Sequence, residues 1–576
     1  MSRLHCHCLL ILTAATAAAC GSGGGVHSNS GGGPDLDPPT AGTVRDGNGN
    51  DVDTQTSTST IGANWSGFVD AEGPIDHYEW AIGSSAGATD LQDWTVVDSP
   101  IAANSTLTLS NGVTYFVSVR AYDLAGNVSP VATSDGVQVM TAGGGGGGGG
   151  GNPVMASSLS QWGVTWDFDV QHQVGHFANG DWWVIGPVNI VQITPASTVV
   201  SGRTINGSMV NPVPNGTHGY DSTLYGQYAQ AQYVYSAALN VATGVSVSQP
   251  LRVLAGSSLI SSISQMTPDP VSFSQLSTAA VLTVLAAPPA ADAFRPPYAG
   301  TDKTIRFRES QLDYARLGTL APVAGTPTPA SLAPQFARVW LDHCPSWISR
   351  FMHPVLNMPD YGRDFTAAMG SGVLVANMNF TNQQKRDMVL GLVQIGIDTC
   401  GNLLNGCNWG SVSSQCAGRK FPMLFAGTLL SAADMQNVGQ TYPSGYFGPG
   451  SPNNASWFGE DSSTFYVQQT SAGVYNWGFG GYSASYLNLP EWGNYHATVI
   501  ANDNAVWGAD PYRRCCTANA WIGECLAARV MGLRTAWNHP AFFDYMDRYM
   551  QTEPAGWTQA WVPWHATAWN TYRPQL

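Results

Sequence analysis

Nine consecutive glycines, Gly143 to Gly151, divide this chain. A run without side chains buries no apolar surface and loses the most backbone entropy on ordering, so no single core extends across it. The 576 residues are therefore expected to fold as at least two cores. Charged residues make up 11% and hydrophobic ones 44%, which excludes disorder as the global state. Residues 1–294 hold 5 Lys/Arg against 20 Asp/Glu, whereas 295–576 hold 18 of each, so the whole excess of acid is N-terminal. The chain lacks the Lys/Arg-rich stripe that phosphate neutralisation needs, and nucleic acid is set aside as a partner.

The first residues give a short charged start, an apolar stretch around Leu9 to Leu12, and a small-residue run Ala17-Ala18-Ala19-Cys20. This predicts a secretory signal peptide over 1–20. Cys20 resembles the cysteine of a bacterial lipoprotein box, which is lipidated and becomes the new N-terminus; Ala17 stands where that box usually begins with Leu, and plain secretion is the alternative. The expected location is extracellular or at the cell surface, anchored to the bacterial outer membrane only through lipid at Cys20. Residues 21–50 read as a solvated tether. Export also lets disulfides persist. Besides Cys6, Cys8 and Cys20 there are Cys344 and two triplets, Cys400, Cys407, Cys416 and Cys515, Cys516, Cys525, without C-x-x-C spacing. Structural bridges with one thiol left over are expected, in preference to zinc.

Between the tether and the glycine linker (142–152), residues 51–141 show short alternating runs: Ala63 to Trp65, His77 to Trp80, Trp94 to Val97, Thr106 to Leu109 and Tyr115 to Ala121. Strands at this spacing indicate an all-β sandwich. The inner Trp65, the pattern Leu109-x-x-Gly112-x-x-Tyr115-x-Val117-x-Val119-x-Ala121 and the following Asp123-x-Ala125-Gly126-Asn127-x-Ser129 resemble a fibronectin type III module. The resemblance implies that Tyr115 is a structural corner tyrosine.

Beyond the linker the pattern changes near residue 295. Residues 153–294 form a β-rich part, with strand-like runs at Trp182 to Ile193, Gln232 to Val241, Leu251 to Ile263 and Ala279 to Ala286. Residues 295–576 are mainly α-helical, with helical spacing in Ala333 to Trp340, Phe365 to Met378, Asn382 to Leu404, Phe421 to Leu430, Ala518 to Met531 and Phe542 to Met550. Thr381 and Gln384 form a capping box for the third of these helices. The long Gly/Asn/Trp/Tyr-rich stretch 438–515 is of a length that commonly carries function.

Of the 20 tryptophans, 17 follow the glycine linker, many in polar loops, among them Trp409, Trp457, Trp477, Trp492, Trp507, Trp557, Trp561 and Trp564. Indole faces suit the C–H faces of sugar rings, with core packing the alternative for each. The scarce charged residues stand in aromatic, glycine-rich phrases: His176 to Trp183, His218-Gly219-Tyr220-Asp221, Phe294 to Tyr298 with Lys303, Asp360 to Arg363, Gly418-Arg419-Lys420, Phe458 to Asp461, Pro490 to His496 and Tyr512-Arg513-Arg514. Recurring Tyr, His and Arg suit elimination from a uronic acid. Arg, Asn or protonated His neutralises the carboxylate, Tyr or His removes the adjacent proton, and Tyr protonates the leaving oxygen, with no metal or cofactor required.

The phrases Phe177 to Val188, Arg295 to Tyr298, Gly418 to Gly427 and Pro490 to His496 resemble secreted alginate or glucuronan lyases with an (α/α) toroid, nearest to polysaccharide lyase family 38. The chain departs from the expected pattern at Gln415-Cys416, where a Gly/His pair would stand, and Asn494-Tyr495-His496 only echoes the Asn-Asn-His triplet of some alginate lyases. The expected function is β-elimination on an acidic polysaccharide. Proposed catalytic residues are Tyr361, Arg363, Arg419, His496, Tyr512 and Arg513; proposed substrate contacts are Asn179, Trp182, Arg295, Tyr298, Lys303, Lys420, Glu491 and Trp492. Arg419-Lys420 as a salt-bridged helix start and His496 as a packed histidine are the structural alternatives. His172 and His176 have metal-ligand spacing only on a helix, and their neighbourhood reads β. Two other functions stay open: a glycoside hydrolase pairing Glu460 or Asp461 with Glu491, and a non-catalytic glycan-binding surface protein.

Overall fold

The computed structural model of the protein describes residues 35, 37–47, 51–52, 54–55, 57–109, 113–139, 154–214, 216–223, 235–266, 274–344, 349–357, 362–410, 416–444, 457–475, 482–493 and 511–576. The chain forms two compact units, Met1–Thr141 and Ala142–Leu576. No described helix is long and apolar enough to cross a membrane.

Unit 1 contains strands β1 (Thr43–Asp46), β2 (Thr54–Gln55), β3 (Ile61–Ser66), β4 (Ile75–Gly83), β5 (Gln92–Val97), β6 (Ile101–Asn104), β7 (Thr114–Asp123), β8 (Ala132–Thr133) and β9 (Val137–Val139). One sheet runs β1-β3-β6; the other runs β2-β9-β7-β4-β5, with β8 on β7. Period-two alternation buries Ile61, Ala63 and Trp65 of one sheet against Trp80, Ile82, Tyr115 and Val117 of the other. Two expectations need adjusting. Strand β1 begins inside the stretch read as tether, with Val44 and Asp46 buried. Thr106 to Leu109 is not a strand: Leu107 and Leu109 donate their N–H groups to Ser59 and Thr58 carbonyls, and Leu109 still reaches the core.

Unit 2 begins with strands β10 (Met155–Gln161), β11 (Val164–His176), β12 (Trp182–Ile185), β13 (Val188–Thr194), β14 (Thr198–Val200), β15 (Arg203–Ile205), β16 (Ser208–Val210), β17 (Leu251–Val253), β18 (Ser257–Ser264) and β19 (Leu276–Leu285). Eight of them form a sheet of order β16-β18-β19-β12-β11-β13-β17, with β10 on β11. Strands β18 and β19 are covered on both faces, which explains their nearly unbroken runs of apolar and small residues. Leu259 faces Trp166 and Val284, while its neighbour Ile260 faces Tyr298, Leu341 and Phe351 from the helical part. The β-rich and helical parts thus share a core. The expected run Gln232 to Val241 contains a 3-10 turn at Ala237–Leu239.

The principal helices are α1 (Pro329–Ala337), α2 (Gly362–Ala376), α3 (Asn382–Leu404), α4 (Lys420–Leu430), α5 (Gly459–Ser463), α6 (Pro511–Cys516), α7 (Ala518–Val530), α8 (Pro540–Thr552) and α9 (Pro563–Tyr572). The expected capping box starts α3: the Thr381 hydroxyl accepts from Gln384 N at 3.2 Å, and Gln384 Oε1 accepts from Thr381 N at 2.9 Å. Helices α2 and α7 meet closely at Gly370, where a Cβ would lie 2.6 Å from Glu524 N. Their interior joins one large cluster with α3, α4 and α8.

The cysteines differ from expectation. Cys344, Cys400, Cys407 and Cys525 are buried free thiols, whereas Cys516 is disulfide-bonded. Buried thiols of this kind pack as small hydrophobes, and burial pushes the Cys344 and Cys407 thiols upward in pKa.

Candidate functional site

The segment Arg295 to Tyr298 docks on a polar ladder along buried helix α3. Gln394, Asp398 and Asn402 recur every fourth residue and therefore share one face. The Gln394 amide accepts from Arg295 N and donates to Arg295 O, each at 3.1 Å. Arg295 donates to both oxygens of Asp398 at 2.9 and 2.6 Å, and to Asp181 Oδ2 at 2.6 Å. Because Asp181 immediately precedes β12, this fully buried guanidinium ties the sheet to the helical part. Arg295, expected to contact sugar, occupies the interior.

The last rung of the ladder, Asn402, donates to the Tyr298 hydroxyl at 3.1 Å, and Asp342 N donates to the same oxygen at 2.9 Å. A phenol accepts two hydrogen bonds and donates one. Its own proton is therefore directed at His343 Nδ1, 3.3 Å away. Burial pushes the His343 imidazole down to about 3, so it is neutral, and pushes the Tyr298 phenol well above its ordinary range. Tyr220, whose ring lies 5.8 Å from that of His343, is fully buried, and His218 stacks 6.3 Å beyond it. His343 Nε2, the Tyr220 hydroxyl and Asn402 Oδ1 have no hydrogen-bond partner among the described residues.

Asp342 links this group to Arg419. The guanidinium donates to Asp342 Oδ2 at 2.7 Å and Oδ1 at 3.1 Å and lies 4.1 Å over the Phe365 ring. His353 Nε2 lies 3.4 Å from Asp342 Oδ1. Burial acts to raise the Asp342 carboxyl, but Arg419 and His353 outweigh it and hold the group below its ordinary range.

The next residue, Lys420, turns to a second group. Its ammonium donates to Asp461 Oδ2 at 2.6 Å and to the Trp537 carbonyl, while Trp537 Nε1 donates to Asp461 Oδ1 at 2.8 Å. Glu460 accepts from Gly418 N, and Glu524 from α7 meets the Glu460 carboxyl. Both glutamates are wholly buried; burial raises both above the carboxylate range, with the charge of Asp461 adding at Glu460 and that of Glu460 adding at Glu524, so the pair retains a proton. Arg419 and Lys420 thus connect a Tyr/His/Asn group to a protonated Glu pair in one buried polar seam.

The remaining expected site residues are dispersed. Glu491 accepts from Arg513 at 2.8 Å and Arg548 at 3.1 Å, and Trp492 is buried with Arg513 over its ring at 5.5 Å. Lys303 donates to the carbonyls of Pro297, Tyr298, Ala299 and Gly300, fastening the turn after Tyr298. Asn179 donates to Asp181 Oδ2 at 2.8 Å. Trp182 is half-buried beside the His176 ring at 3.6 Å. Arg363 lies 3.9 Å over Trp561, and Arg514 lies 5.5 Å over Trp557, which is 39% exposed. Cys20, Tyr361 and His496 lie outside the described residues, as does the side chain of Tyr512. His172 and His176 are on β11 and bond the carbonyls of Ile185 and Gly180, not a common metal point.

Sequence reasoning missed Asp342, His343, His353, Asn402 and Glu524. The signal for Asn402 was available: three polar residues at fourfold spacing in an otherwise apolar helix require a polar partner. Asp342-His343 between Leu341 and Cys344 carried the same message. Glu524, a lone acid in α7, carried none.

No family model matches the chain, and no curated protein matches it. Among solved structures, an alpha-L-rhamnosidase from Dictyoglumus thermophilum aligns at 10% identity over 40% of this chain and 28% of its own, with a TM-score of 0.17. The FN1-FN3 domains of chicken CNTN1 align at 11% identity over 43% of this chain and 66% of theirs, with a TM-score of 0.13. In both cases the chain spans less than two thirds of the matched structure, and likenesses at this level carry no assignment.

Proposed function

We propose that the protein is an exported enzyme that cleaves a uronic-acid-containing polysaccharide by β-elimination; Tyr298 and His343, both wholly buried, belong to its interior and not to the surface that meets the polymer. The supporting observation is the pairing of guanidinium with indole at Arg363–Trp561 and Arg514–Trp557, which sets a cation beside a flat apolar face of the kind that suits a sugar ring. In β-elimination a base takes the proton from C5, the C4–O4 bond breaks as C4=C5 forms, and an acid returns a proton to O4. Tyr298, with its pKa pushed up, and His343, with its pKa pushed down, are poorly matched for that exchange and serve to tie the Arg295 to Tyr298 segment to α3. Arg419 and Arg513 are already engaged by Asp342 and Glu491. Arg363, which has Asp364 Oδ1 at 3.7 Å, and Arg514, held by Glu553 at 2.9 Å, are also paired but leave 17% and 19% of their side chains exposed beside Trp561 and Trp557, and are the better candidates to bind a uronate.

A glycoside hydrolase needs carboxyls about 5–9.5 Å apart across the scissile bond. Glu460 and Glu524 meet directly, and Glu491 is held by two arginines, so the elimination reading is preferred. The same reading takes unit 1 as a fibronectin type III spacer on its strand order, the helices of unit 2 as part of an (α/α) toroid, and Cys20 as the lipid anchor.

The test is incubation of the purified protein with alginate, glucuronan, pectate, hyaluronan and neutral glucans, following ultraviolet absorbance of unsaturated ends together with reducing sugar. A joint rise that Arg363→Ala weakens, with the fold intact, supports the reading. Reducing ends without absorbance replace elimination with hydrolysis, and silence on every polymer favours a glycan-binding protein.

A further inference from the structure

Unit 1 contains a carboxylate group that its fold leaves uncompensated. Asp46 ends β1 in the three-stranded sheet, and Asp135 lies two residues before β9 in the six-stranded sheet. With Asp51 they bring carboxylate oxygens within 4.8 Å of one another. Asp51 and Asp135 are exposed, but Asp46 is fully buried.

Ser134 and Gly136 N both act on the Asp46 carboxylate, the latter donating to Oδ2 at 3.0 Å, while Oδ1 is buried without a hydrogen-bond partner among the described residues. Asp51 has moved in beside it, with Oδ1 accepting from Asp46 N at 2.8 Å. Burial, with Asp51 and Asp135 adding to it against two hydrogen bonds that lower it, pushes the Asp46 carboxyl up to about 6. A buried carboxylate oxygen left unsatisfied among the described residues, in a group of three carboxylates, is better compensated by a cation than by one more hydrogen bond.

We propose that Asp46, Asp51 and Asp135 form a binding site for a hard divalent cation, calcium by preference, that clips the two sheets of unit 1 together. Three carboxylates supply oxygen ligands of the type calcium takes, and the exposure of Asp51 and Asp135 lets water complete a shell of six to eight. Magnesium demands tighter octahedral geometry and is the weaker competitor. Binding replaces carboxylate repulsion with attraction at the point where β1 and the approach to β9 converge. The site is independent of the activity proposed for unit 2.

The experiment uses the full chain, stripped of metal by a chelator, with calcium chloride as titrant in isothermal calorimetry and in thermal melts. Affinity in the range of extracellular calcium modules, about 10⁻⁴–10⁻³ M, and an upward shift of the melt of unit 1 are expected. Asp51→Asn and Asp135→Asn alter exposed side chains and should each weaken calcium binding at least tenfold while the calcium-free melt stays in place or rises, since each removes one repelling charge. Asp46→Asn removes the buried ligand, and the proposal does not depend on that variant folding. A second acidic group in unit 1, Asp35, Asp70 and Asp123, supplies the control. Asp70→Asn should leave the Asp51- and Asp135-dependent binding intact. The proposal is overturned if calcium produces neither heat nor a shift at ten times the upper bound of that range, if Asp51→Asn and Asp135→Asn bind like the parent, or if Asp70→Asn alone removes all binding.

Discussion

The Tyr298 hydroxyl faces His343 Nδ1 at 3.3 Å while accepting from Asp342 N and from Asn402. Tyr298→Phe keeps the ring and removes the only oxygen those groups share. Two buried donors then lose their acceptor, at about 1–3 kcal/mol each, and because the hydroxyl is wholly buried the loss should appear in stability and not in chemistry. Urea melts and absorbance of unsaturated ends on the same preparation separate the two: a variant of unchanged stability that no longer cleaves polysaccharide would place Tyr298 in the chemistry.

His343 and His218 are buried as neutral imidazoles, pushed down to about 3 and 4, and His565 is also pushed down to about 3. The unfolded chain binds protons at these residues below the ordinary histidine value of 6.5, and the folded one does not. Stability is therefore whole above pH 6.5 and falls as the pH drops toward the folded values, by up to about 1.4 kcal/mol per pH unit for each histidine. Denaturant melts from pH 7 down to pH 5 measure the slope. His565→Asn should reduce it.

Glu460 and Glu524 act with the opposite sign. Their folded pKa values are raised, so the folded state holds more protons than the unfolded chain once the pH exceeds the ordinary value of 4.5. Their contribution is whole below that value and is lost as the pH rises through the folded values. Glu524→Gln keeps a hydrogen-bond donor toward Glu460 without needing a shared proton. It should flatten the alkaline decline in melts between pH 6 and 9, and an unchanged slope would show that the pair does not hold the proton.

Much of the architecture was legible because periodicity reports burial. Helix α3 was readable to both ends, since its capping box and apolar pattern agree. Strand β7 was readable from Tyr115, Val117, Val119 and Ala121. The site was less so. Arg295, Arg419, Lys420, Glu491 and Arg513 stood out as isolated charges among aromatic and glycine residues, a pattern that a substrate cleft and a buried ion pair share. What separates them is the partner, and Asp398, Asp342, Asp461 and Arg548 lie tens of residues away or more. Glu524 and Glu460 show the limit, because only the close crossing of α7 and α2 brings Glu524 inward.

Arg295 gives the sharpest contrast between binding and structure. Its guanidinium is wholly buried between Asp181 and Asp398, so Arg295→Ala leaves two carboxylates unpaired in the interior. The expected loss is about 3–5 kcal/mol, the usual cost of breaking one side of a buried ion pair. Urea melts should show it together with faster proteolysis between the sheet and the helices. A variant of unchanged stability but raised KM would return Arg295 to the role of a sugar contact.

Arg363 should behave in the reverse way. It lies 3.9 Å over Trp561, at a helix start, with 17% of its side chain exposed. Its stacking is worth about 0.5–1 kcal/mol and its pair with Asp364 Oδ1, at 3.7 Å, at most about 1 kcal/mol, so Arg363→Ala should lower the melt only slightly. If Arg363 binds a uronate, that variant should raise KM for an acidic polysaccharide several-fold, with steeper loss at low ionic strength, where the parent gains most from charge attraction. Arg363→Lys keeps the charge but not the planar fork, and should recover only part of the affinity. Kinetics at two salt concentrations decide the matter. A KM that ignores both substitutions would place carboxylate recognition elsewhere in unit 2.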